Sequence, residues 1–213
     1  MHIALIGATG FVGSAVLEEL LTRGHQVRAL QRNPASLATR PGLTVQAADA
    51  LAPQGLRAAL EGVDAVVSAY NAGWGNPKLY DDFLQGSEAI TAAARAAAVR
   101  LLVVGGAGSL YVAPGQQLVD SPQFPAEWKA GALAARELLR RLQADASGLD
   151  WSFVSPPMHL ERGERTGRYR LGTDAPVFDA EGHCRLSVAD LAVAIVDEIE
   201  RPAHQRQRFT AAY

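Results

Sequence analysis

Three glycines near the amino terminus have the spacing of a phosphate-binding turn. The stretch Gly7-Ala8-Thr9-Gly10-Phe11-Val12-Gly13 follows four apolar residues, Ile3 to Ile6, that predict a buried strand. Apolar residues at Val16 and Leu20 then predict a helix that Gly24 closes. The first glycine permits unusual backbone angles, the second lets phosphate approach, and the third lets helix and strand pack closely. Because N–H groups at a helix start favour an anion, this turn is predicted to bind the diphosphate of a dinucleotide. The predicted contacts are Gly7, Thr9, Gly10, Phe11, Val12 and Gly13.

The end of the second predicted strand, Val27 to Leu30, bears on which dinucleotide is bound. Sites for NAD usually have Asp or Glu here for the ribose 2′-hydroxyl, whereas a 2′-phosphate requires a cation and no carboxylate. Gln31 and Arg32 occupy these positions, and Pro34 stops the strand. We therefore expect Arg32 to bind the 2′-phosphate, so that NADP is preferred over NAD. A solvated arginine at a strand end would have the same sequence.

Two further strand ends are expected to border the cofactor. The third strand, Leu43 to Ala47, is followed by Asp49, which is placed to accept a hydrogen bond from the adenine amino group or to serve as a turn or capping residue. The fourth strand, Ala65 to Ala69, is apolar enough to be covered on both faces. The cofactor contacts predicted at these ends are Asp49, Ala50, Ser68, Ala69 and Tyr70.

A second glycine-rich turn follows the fifth predicted strand, Leu101 to Val104. Its sequence is Gly105-Gly106-Ala107-Gly108-Ser109, and the missing side chains leave room for a flat ring against the backbone. The sixth strand, Trp151 to Val154, ends in Ser155-Pro156-Pro157 at the same edge of the sheet. We predict that Gly105, Gly106, Pro156 and Pro157 frame the nicotinamide.

Helices and loops must position these strand ends. The patterns predict helices from Pro53 to about Gly62, from Phe83 to Val99, from Ala126 to Leu142 and from a Ser187-x-x-Asp190 capping box to about Glu200, with a last strand over Arg208 to Ala212. Residues 111 to 125 are predicted to form a loop. The charged stretch Met158 to Val177 is a solvated surface or a lid.

Trp74 is an aromatic residue on the glycine-flanked loop Asn71 to Pro77. Beside a cofactor cleft it could stack on a planar substrate, or it could pack against the base of its own loop.

Composition excludes several other functions. With 20 Lys plus Arg against 22 Asp plus Glu, the net charge of −2 offers no field for nucleic acid or an anionic membrane. Cys184 is the single cysteine, and the five histidines have no metal-ligand spacing, although His159 is a candidate proton relay. No apolar run reaches a membrane span, and the first strand starts at the amino terminus without a secretory pattern. We expect a cytoplasmic protein without a metal.

With these residues in place, the chain resembles the atypical short-chain dehydrogenases and, within them, the bacterial proteins that resemble NADH-flavin reductases. The resemblance implies a Rossmann-like α/β fold, a doubly wound parallel sheet flanked by helices, as one domain over residues 1–213 with a small carboxyl-terminal lid. Its substrate-side loops are mainly 70–80, 109–125 and 156–185. The more specific matching stretches are 103–109, 150–156, 163–167, 169–172, 189–190, 197–198 and 208–210.

One departure from that superfamily affects the chemistry. Its typical members carry Tyr-x-x-x-Lys, in which tyrosine is the acid or base and lysine lowers its pKa while holding the nicotinamide ribose. Here the two lysines, Lys78 and Lys129, are preceded at that spacing by Trp74 and Pro125. The resemblance leaves Ser109 to bind the nicotinamide amide or substrate, or to cap its own turn, and Lys129 to reach the ribose or to lie on the surface.

A flavin needs no such proton donor, because hydride can pass between stacked rings and water can supply the proton. The sequence therefore favours an NADPH-dependent reductase of free flavin or a similar flat acceptor, with Ser109 and Lys129 as candidate catalytic residues. Two alternatives stay open. One is a cofactor-sensing regulator that resembles the NmrA-like proteins, and the other is an epimerase-like or dehydratase-like enzyme whose acid is Tyr70, Tyr111 or Tyr169. The oligomeric state is left open.

Overall fold

Eight strands form one sheet at the centre of the protein, in a computed structural model that describes residues 1–213. Twelve strands occur in chain order: β1 (His2–Ile6), β2 (Gln26–Gln31), β3 (Leu43–Ala47), β4 (Ala65–Ser68), β5 (Arg100–Val104), β6 (Tyr111–Ala113), β7 (Gln116–Gln117), β8 (Trp151–Ser155), β9 (His159–Glu161), β10 (Arg170–Gly172), β11 (Arg185–Ser187) and β12 (Gln207–Ala212). The main sheet has the order β10-β12-β8-β5-β4-β1-β2-β3. All its strands are parallel except β10, which runs antiparallel to β12.

Helices cover both faces of this sheet, which explains why its central strands are continuous apolar runs. The helices are α1 (Phe11–Thr22), α2 (Leu56–Ala59), α3 (Leu79–Ala97), α4 (Ala126–Ala144) and α5 (Val188–Glu200). One buried cluster joins the sheet to α2, α3 and α4, and a second joins it to α1 and α5. The doubly wound α/β fold predicted from the sequence is confirmed. None of the five helices combines the length and the apolar character of a membrane span.

The order of strands determines where a ligand can enter. From β1 the chain adds β2 and β3 on one side, and then returns to add β4, β5 and β8 on the other. The loops after β1 and β4 therefore diverge to opposite faces and leave a crevice at the carboxyl ends of these strands, where ligands of such folds bind.

Several element boundaries differ from the prediction. The helix expected from Pro53 to Gly62 is only the four residues of α2, bracketed by Gly55 and Gly62 with φ of +92° and +74°. The helix expected from Phe83 is α3, which begins at Leu79. The predicted loop 111–125 contains the hairpin of β6 and β7, whose two strands are too short to show a pattern.

The carboxyl-terminal part contains more pairing than its charged sequence indicates. β9 pairs in parallel with β11, and β10 forms one edge of the main sheet, both within or beside the stretch that was expected to be a surface or lid. These pairings join residues far apart in sequence, so no local pattern reveals them.

The predicted capping box at the start of α5 is only half formed. Ser187 Oγ accepts a hydrogen bond from Asp190 N at 3.0 Å, as expected. The Asp190 carboxylate does not return the bond, and the Ser187 N–H instead donates to Tyr213 Oη at 3.3 Å. Aspartate is one methylene shorter than the usual glutamate, and Asp190 is engaged elsewhere.

Candidate functional site

The first glycine turn is closed by backbone atoms on two sides. Gly7 has φ of +82°, which L side chains rarely adopt, and a Cβ on it would overlap the carbonyl oxygen of Ala69 at the end of β4. A Cβ on Gly13 would overlap the carbonyl oxygen of Gly7 and lie 2.7 Å from its carbonyl carbon. Gly10 differs, because the sole neighbour of a Cβ there would be Gly7 O at 3.3 Å. The first and third glycines hold strand and helix together, and the second faces open space.

The start of α1 offers N–H groups without side-chain partners. Gly10 is the N-cap with φ of −77°, no side chain caps the helix, and its first turn contains no acidic residue. The helix dipole therefore places uncompensated positive charge at this turn. A turn that is open at Gly10 and a helix N-terminus without a side-chain cap together fit the diphosphate of a dinucleotide.

Three residues predicted to contact the cofactor, Arg32, Asp49 and Tyr70, follow the carboxyl ends of β2, β3 and β4. Arg32 is exposed, and Asp49 Oδ1 accepts a hydrogen bond from Leu51 N at 3.0 Å, which is the turn role left open for it. Burial raises the pKa of Tyr70, the negative charges of Asp49 and Asp82 raise it further, and Arg32 lowers it. The charges of Asp49, Asp82 and Arg32 therefore all affect the Tyr70 hydroxyl.

Gln31, the last residue of β2, is buried beside the first turn and was not predicted to contact a ligand. Its side chain is buried, and its Oε1 accepts a hydrogen bond from Thr9 Oγ1 at 3.4 Å, which joins the first turn to the end of β2. Its Nε2 has no partner in the protein. An unpaired buried donor is uncommon, and here it lies beside the predicted ribose site.

The second glycine turn is enclosed by side chains. A Cβ on Gly105 would overlap the ring of Phe153, and one on Gly108 would lie 2.8 Å from the Cβ of Ala132 on α4. A Cβ on Gly106 would lie 3.6 Å from the Cβ of Ala135, which is an ordinary van der Waals contact. The turn thus rests flat on β8 and α4, with Pro156 half-buried and Pro157 buried at the end of the next strand.

Ser109 ends this turn in a buried position. It is 1% exposed, its hydroxyl donates to Gly106 O at 3.4 Å, and Arg208 Nη1 donates to its carbonyl oxygen at 2.7 Å and to its Oγ at 3.1 Å. These bonds are those of a residue that caps the glycine turn, the alternative that the sequence left open for Ser109.

Arg208 is the residue of this region that sequence reasoning missed. Its side chain is 2% exposed, pairs with Asp174 and lies over the ring of Tyr111 at 5.8 Å. It therefore ties the second turn to β6, which follows that turn, and to the loop after β10. The available signal was a single arginine at the start of the apolar strand β12.

The remaining acid and base candidates are distributed around the molecule. Lys129 is exposed in the first turn of α4, and His159 is exposed on β9. Tyr70 packs across Gly86 and donates to Asp82 O at 3.1 Å. The hydroxyl of Tyr169 donates to Asp197 on α5, and its pKa is raised by burial and by that carboxylate. Burial also raises the pKa of the Cys184 thiol.

Residues 162–168, which we call the strap, cross the outer side of α1 and α5. Arg165 donates to the buried Glu19 of α1 at 2.6 and 2.8 Å. Thr166 Oγ1 and Gly167 N donate to Asp190 of α5 at 2.6 and 2.7 Å. Burial alone would raise the pKa of Asp190, but its hydrogen bonds outweigh burial and lower it. This part of the expected lid is therefore docked on the helices.

The comparisons with known proteins agree with this geometry. The sequence profile of a family described as NAD(P)H-binding matches residues 7–199. Three solved structures align with all of the chain. A candidate exported protein of Burkholderia pseudomallei is 44% identical, is covered over all of its own chain and has a TM-score of 0.88. A candidate epimerase of Bacteroides thetaiotaomicron is 41% identical, with 96% of its chain covered and a TM-score of 0.91, and a candidate NADH-flavin reductase of Streptococcus pneumoniae is 33% identical, with 99% of its chain covered and a TM-score of 0.89.

The profile begins at the first glycine of the first turn and ends in α5, so it includes both glycine turns and the strands between them. With its open cradle at α1 and its Rossmann-like sheet, the chain belongs to the NAD(P)H-binding family.

Proposed function

We propose that this protein is an NAD(P)H-dependent reductase that prefers NADPH and transfers hydride to a small planar acceptor such as free flavin. The observation that carries the proposal is the pair of glycine turns after β1 and β5, which flank β4 at the crevice and whose glycines present backbone rather than side chains of their own. The first turn suits a diphosphate, and the second suits a flat ring.

The chain's own residues would divide the work as follows. The N–H groups of Phe11, Val12 and Gly13 bind the diphosphate, and the turn Gly105 to Ser109 with Pro156 holds one face of the ring against the sheet edge. Arg208 keeps that turn in place through Ser109. When bound, the reduced nicotinamide supplies hydride from its C4 atom to the acceptor, N5 in a flavin, and water supplies the remaining proton.

This chemistry depends on placement more than on an acid or base. Holding two flat rings in contact can account for most of the rate, since effective molarities of well-oriented groups reach about 10⁵ M or more. That fits a chain in which no tyrosine precedes a lysine by four residues. The name of the Streptococcus relative, which is 33% identical, supports flavin as the acceptor to test first.

The preference for NADPH rests on Arg32, which is exposed at the end of β2 with no carboxylate beside it in the sequence. Replacing one charge-assisted hydrogen bond to phosphate should weaken NADPH binding by about tenfold to a hundredfold. We expect Arg32→Gln to do so while leaving NADH binding unchanged. Arg206→Gln is the matched control, because Arg206 directly precedes β12 and so lies at the amino ends of the parallel strands, away from the carboxyl ends where the cofactor is expected.

The direct experiment follows NADPH absorbance after addition of riboflavin, flavin mononucleotide, a quinone or a linear tetrapyrrole. Steady oxidation by the protein alone with at least one acceptor is expected. Tight NADPH binding without turnover on any of them would instead indicate a cofactor-sensing regulator. Such a reductase would work where reduced nicotinamide is regenerated, which is the reason to place it in the cytoplasm.

The name of the Bacteroides relative points to a second candidate, an epimerase. That chemistry needs a protein acid or base at the substrate carbon. Of the three tyrosines considered for it, Tyr70 and Tyr169 already donate to protein oxygens, so Tyr111 is the residue to replace. Sugar-nucleotide turnover that Tyr111→Phe abolishes would favour the epimerase.

A further inference from the structure

We infer that Trp74 is the platform on which the planar acceptor stacks. The inference rests on the proposed function and adds to it a location and a residue for acceptor binding. Nothing in the family match or in the names of the relatives assigns this residue.

Trp74 presents a large apolar surface to solvent while one edge of its ring is anchored. The residue is 61% exposed, the most exposed of the large apolar side chains. A Cβ on Gly131 of α4 would lie 2.9 Å from its Cζ3 atom and 3.4 Å from Leu79, so the ring edge fits where that helix has no side chain. Both roles considered for Trp74 are thus compatible, since one edge packs and the rest stays open.

The loop around Trp74 is held by a dense set of hydrogen bonds. Asn71 Oδ1 accepts from Gly73 N at 2.7 Å, and Asn76 N donates to Gly73 O at 3.0 Å. Asn76 Nδ2 also donates to Asp82 Oδ2 on α3 at 2.8 Å. An exposed aromatic ring on a fixed loop is pre-organised, so that little conformational entropy is lost when a ligand stacks on it.

The residues beside Trp74 leave the approach to the ring clear. Gly73 has φ of +100°, and neither it nor Gly75 has an atom within 4 Å of the position of a Cβ. Glycine on both sides removes the side chains that would otherwise shield an indole face. A flat molecule can therefore reach the ring without a rearrangement of the loop.

A short stretch of α4 joins this platform to the second glycine turn. Gly131 seats Trp74, and the next residue, Ala132, packs against Gly108 of the turn. One helical turn separates this contact from Ala135, which lies under Gly106. Small residues on α4 thus let both loops approach the same helix face, and from these shared contacts we expect a ring on Trp74 to lie on the acceptor side of the second turn.

These features identify the class of ligand as a flat conjugated molecule with an electron-poor face. An indole stacks well on such a ring, with about 0.5–1.5 kcal/mol beyond the area buried. The residues on either side of Trp74, Gly73 and Gly75, have no side chain that could select an acidic or basic substituent. Riboflavin, which has the isoalloxazine ring and no phosphate, is therefore the cleanest probe.

The test is a riboflavin titration in the presence of NADP⁺, which prevents turnover, followed by quenching of flavin fluorescence. Trp74→Leu keeps an apolar contact with Gly131 but removes the aromatic face. It should raise the Kd of riboflavin, and its KM with NADPH, by about three- to tenfold, with NADPH binding little changed. Trp128→Leu is the matched control, because Trp128 is 52% exposed on α4 and is not seated on a glycine.

The outcomes separate this inference from the proposed function. If the unchanged protein oxidises NADPH with riboflavin and Trp74→Leu has the same KM and Kd, the platform is wrong and the reductase stands. If the unchanged protein shows no oxidation with any acceptor, the reductase fails, and the titration still decides whether Trp74 binds a flat ring. A concentration-dependent dimer that Trp74→Leu abolishes would also overturn the inference, because a second copy would then cover the ring.

Discussion

The two glycine turns have similar sequences, but different atoms enclose them. A Cβ on Gly7 or Gly13 would meet carbonyl groups of the backbone. A Cβ on Gly105 or Gly108 would meet the ring of Phe153 or the methyl group of Ala132. The first turn is thus bounded by the positions of β1, β4 and α1 themselves, whereas the second is bounded by side chains that the sheet and α4 present.

This difference indicates which part of the site can vary. Backbone atoms cannot be replaced, so the shape of the diphosphate turn follows from the fold. Side chains can be exchanged, so the shape of the ring turn can be adjusted by core residues without moving a strand. In this protein, a substitution of Phe153 or Ala132 should therefore reshape the second turn while the first keeps its form.

The largest effect is expected from Gly13→Ala. The new methyl group would overlap the carbonyl oxygen of Gly7, and only separation of α1 from β1 could relieve it. Overpacking against backbone should cost about 3 kcal/mol of unfolding free energy and abolish dinucleotide binding. Urea unfolding and a titration of NADPH against intrinsic fluorescence measure the two effects.

Gly10→Ala is the control for this substitution. Its φ of −77° suits alanine and its Cβ would lie 3.3 Å from Gly7 O, so stability should change by less than about 1 kcal/mol. The methyl group nevertheless occupies the open side of the turn, and NADPH binding should weaken. Unchanged NADPH binding by a folded Gly10→Ala protein would show that the diphosphate does not approach there.

A substitution in the second turn should cost less unfolding free energy, and a second substitution in the core should recover part of that loss. Gly105→Ala pushes a methyl group into the ring of the fully buried Phe153, at an expected cost of about 2 kcal/mol. Phe153→Leu makes room, so the double variant should be more stable than the sum of the two single changes predicts. Urea unfolding of all four proteins gives the coupling, and strict additivity would contradict a side-chain boundary.

Much of the fold was predictable because its signals are local. The strand Leu43 to Ala47 has the predicted boundaries, and the last strand begins one residue earlier than predicted, since alternating and continuous apolar runs depend on neighbours in sequence. The hairpin after Ser109 and the pairing of β9 with β11 were not predictable, because their partners are set by tertiary contacts.

The site divides in the same way. The glycine spacing of the first turn is itself the steric requirement, so residues 7 to 13 could be recognised directly. The burial of Ser109 could not, because it depends on Arg208, which lies 99 residues away along the chain. The docking of the strap on Glu19 and Asp190 could not be predicted either, because in the sequence these carboxylates are indistinguishable from other helix residues.

Arg208→Lys tests the polar support of the second turn. Lysine cannot reproduce the two bonds to Ser109 together with the pairing to Asp174, and a buried carbonyl left with weaker bonding should cost about 1–2 kcal/mol. The Asp174 carboxylate is 63% exposed, so water can solvate it.

Ligand fragments show which turn Arg208 supports. Adenosine 2′,5′-bisphosphate reaches only the first turn, so Arg208→Lys should leave its affinity unchanged while NADPH binds more weakly and kcat falls. Gly10→Ala should weaken both ligands. Equal weakening of both ligands by Arg208→Lys would mean that the two turns are not independent.

The smallest effect is expected near the carboxyl end of α1, where Arg165 of the strap binds Glu19. The Arg165 hydrogen bond lowers the pKa of Glu19 against the opposing effect of burial, and Arg23 lowers it further. A carboxyl whose pKa is lower in the folded state stabilises the fold above its unfolded pKa, and this contribution is lost as the pH falls through the folded pKa.

Arg165→Gln should therefore cost about 0.5–1 kcal/mol at neutral pH, since Arg165 is half-exposed and Arg23 remains. Urea unfolding across the acid range should show this difference shrinking as Glu19 is protonated, with Arg168→Gln as the control on the same strap. A loss that stays constant with pH would mean that Arg165 acts by packing and not through its bond to Glu19.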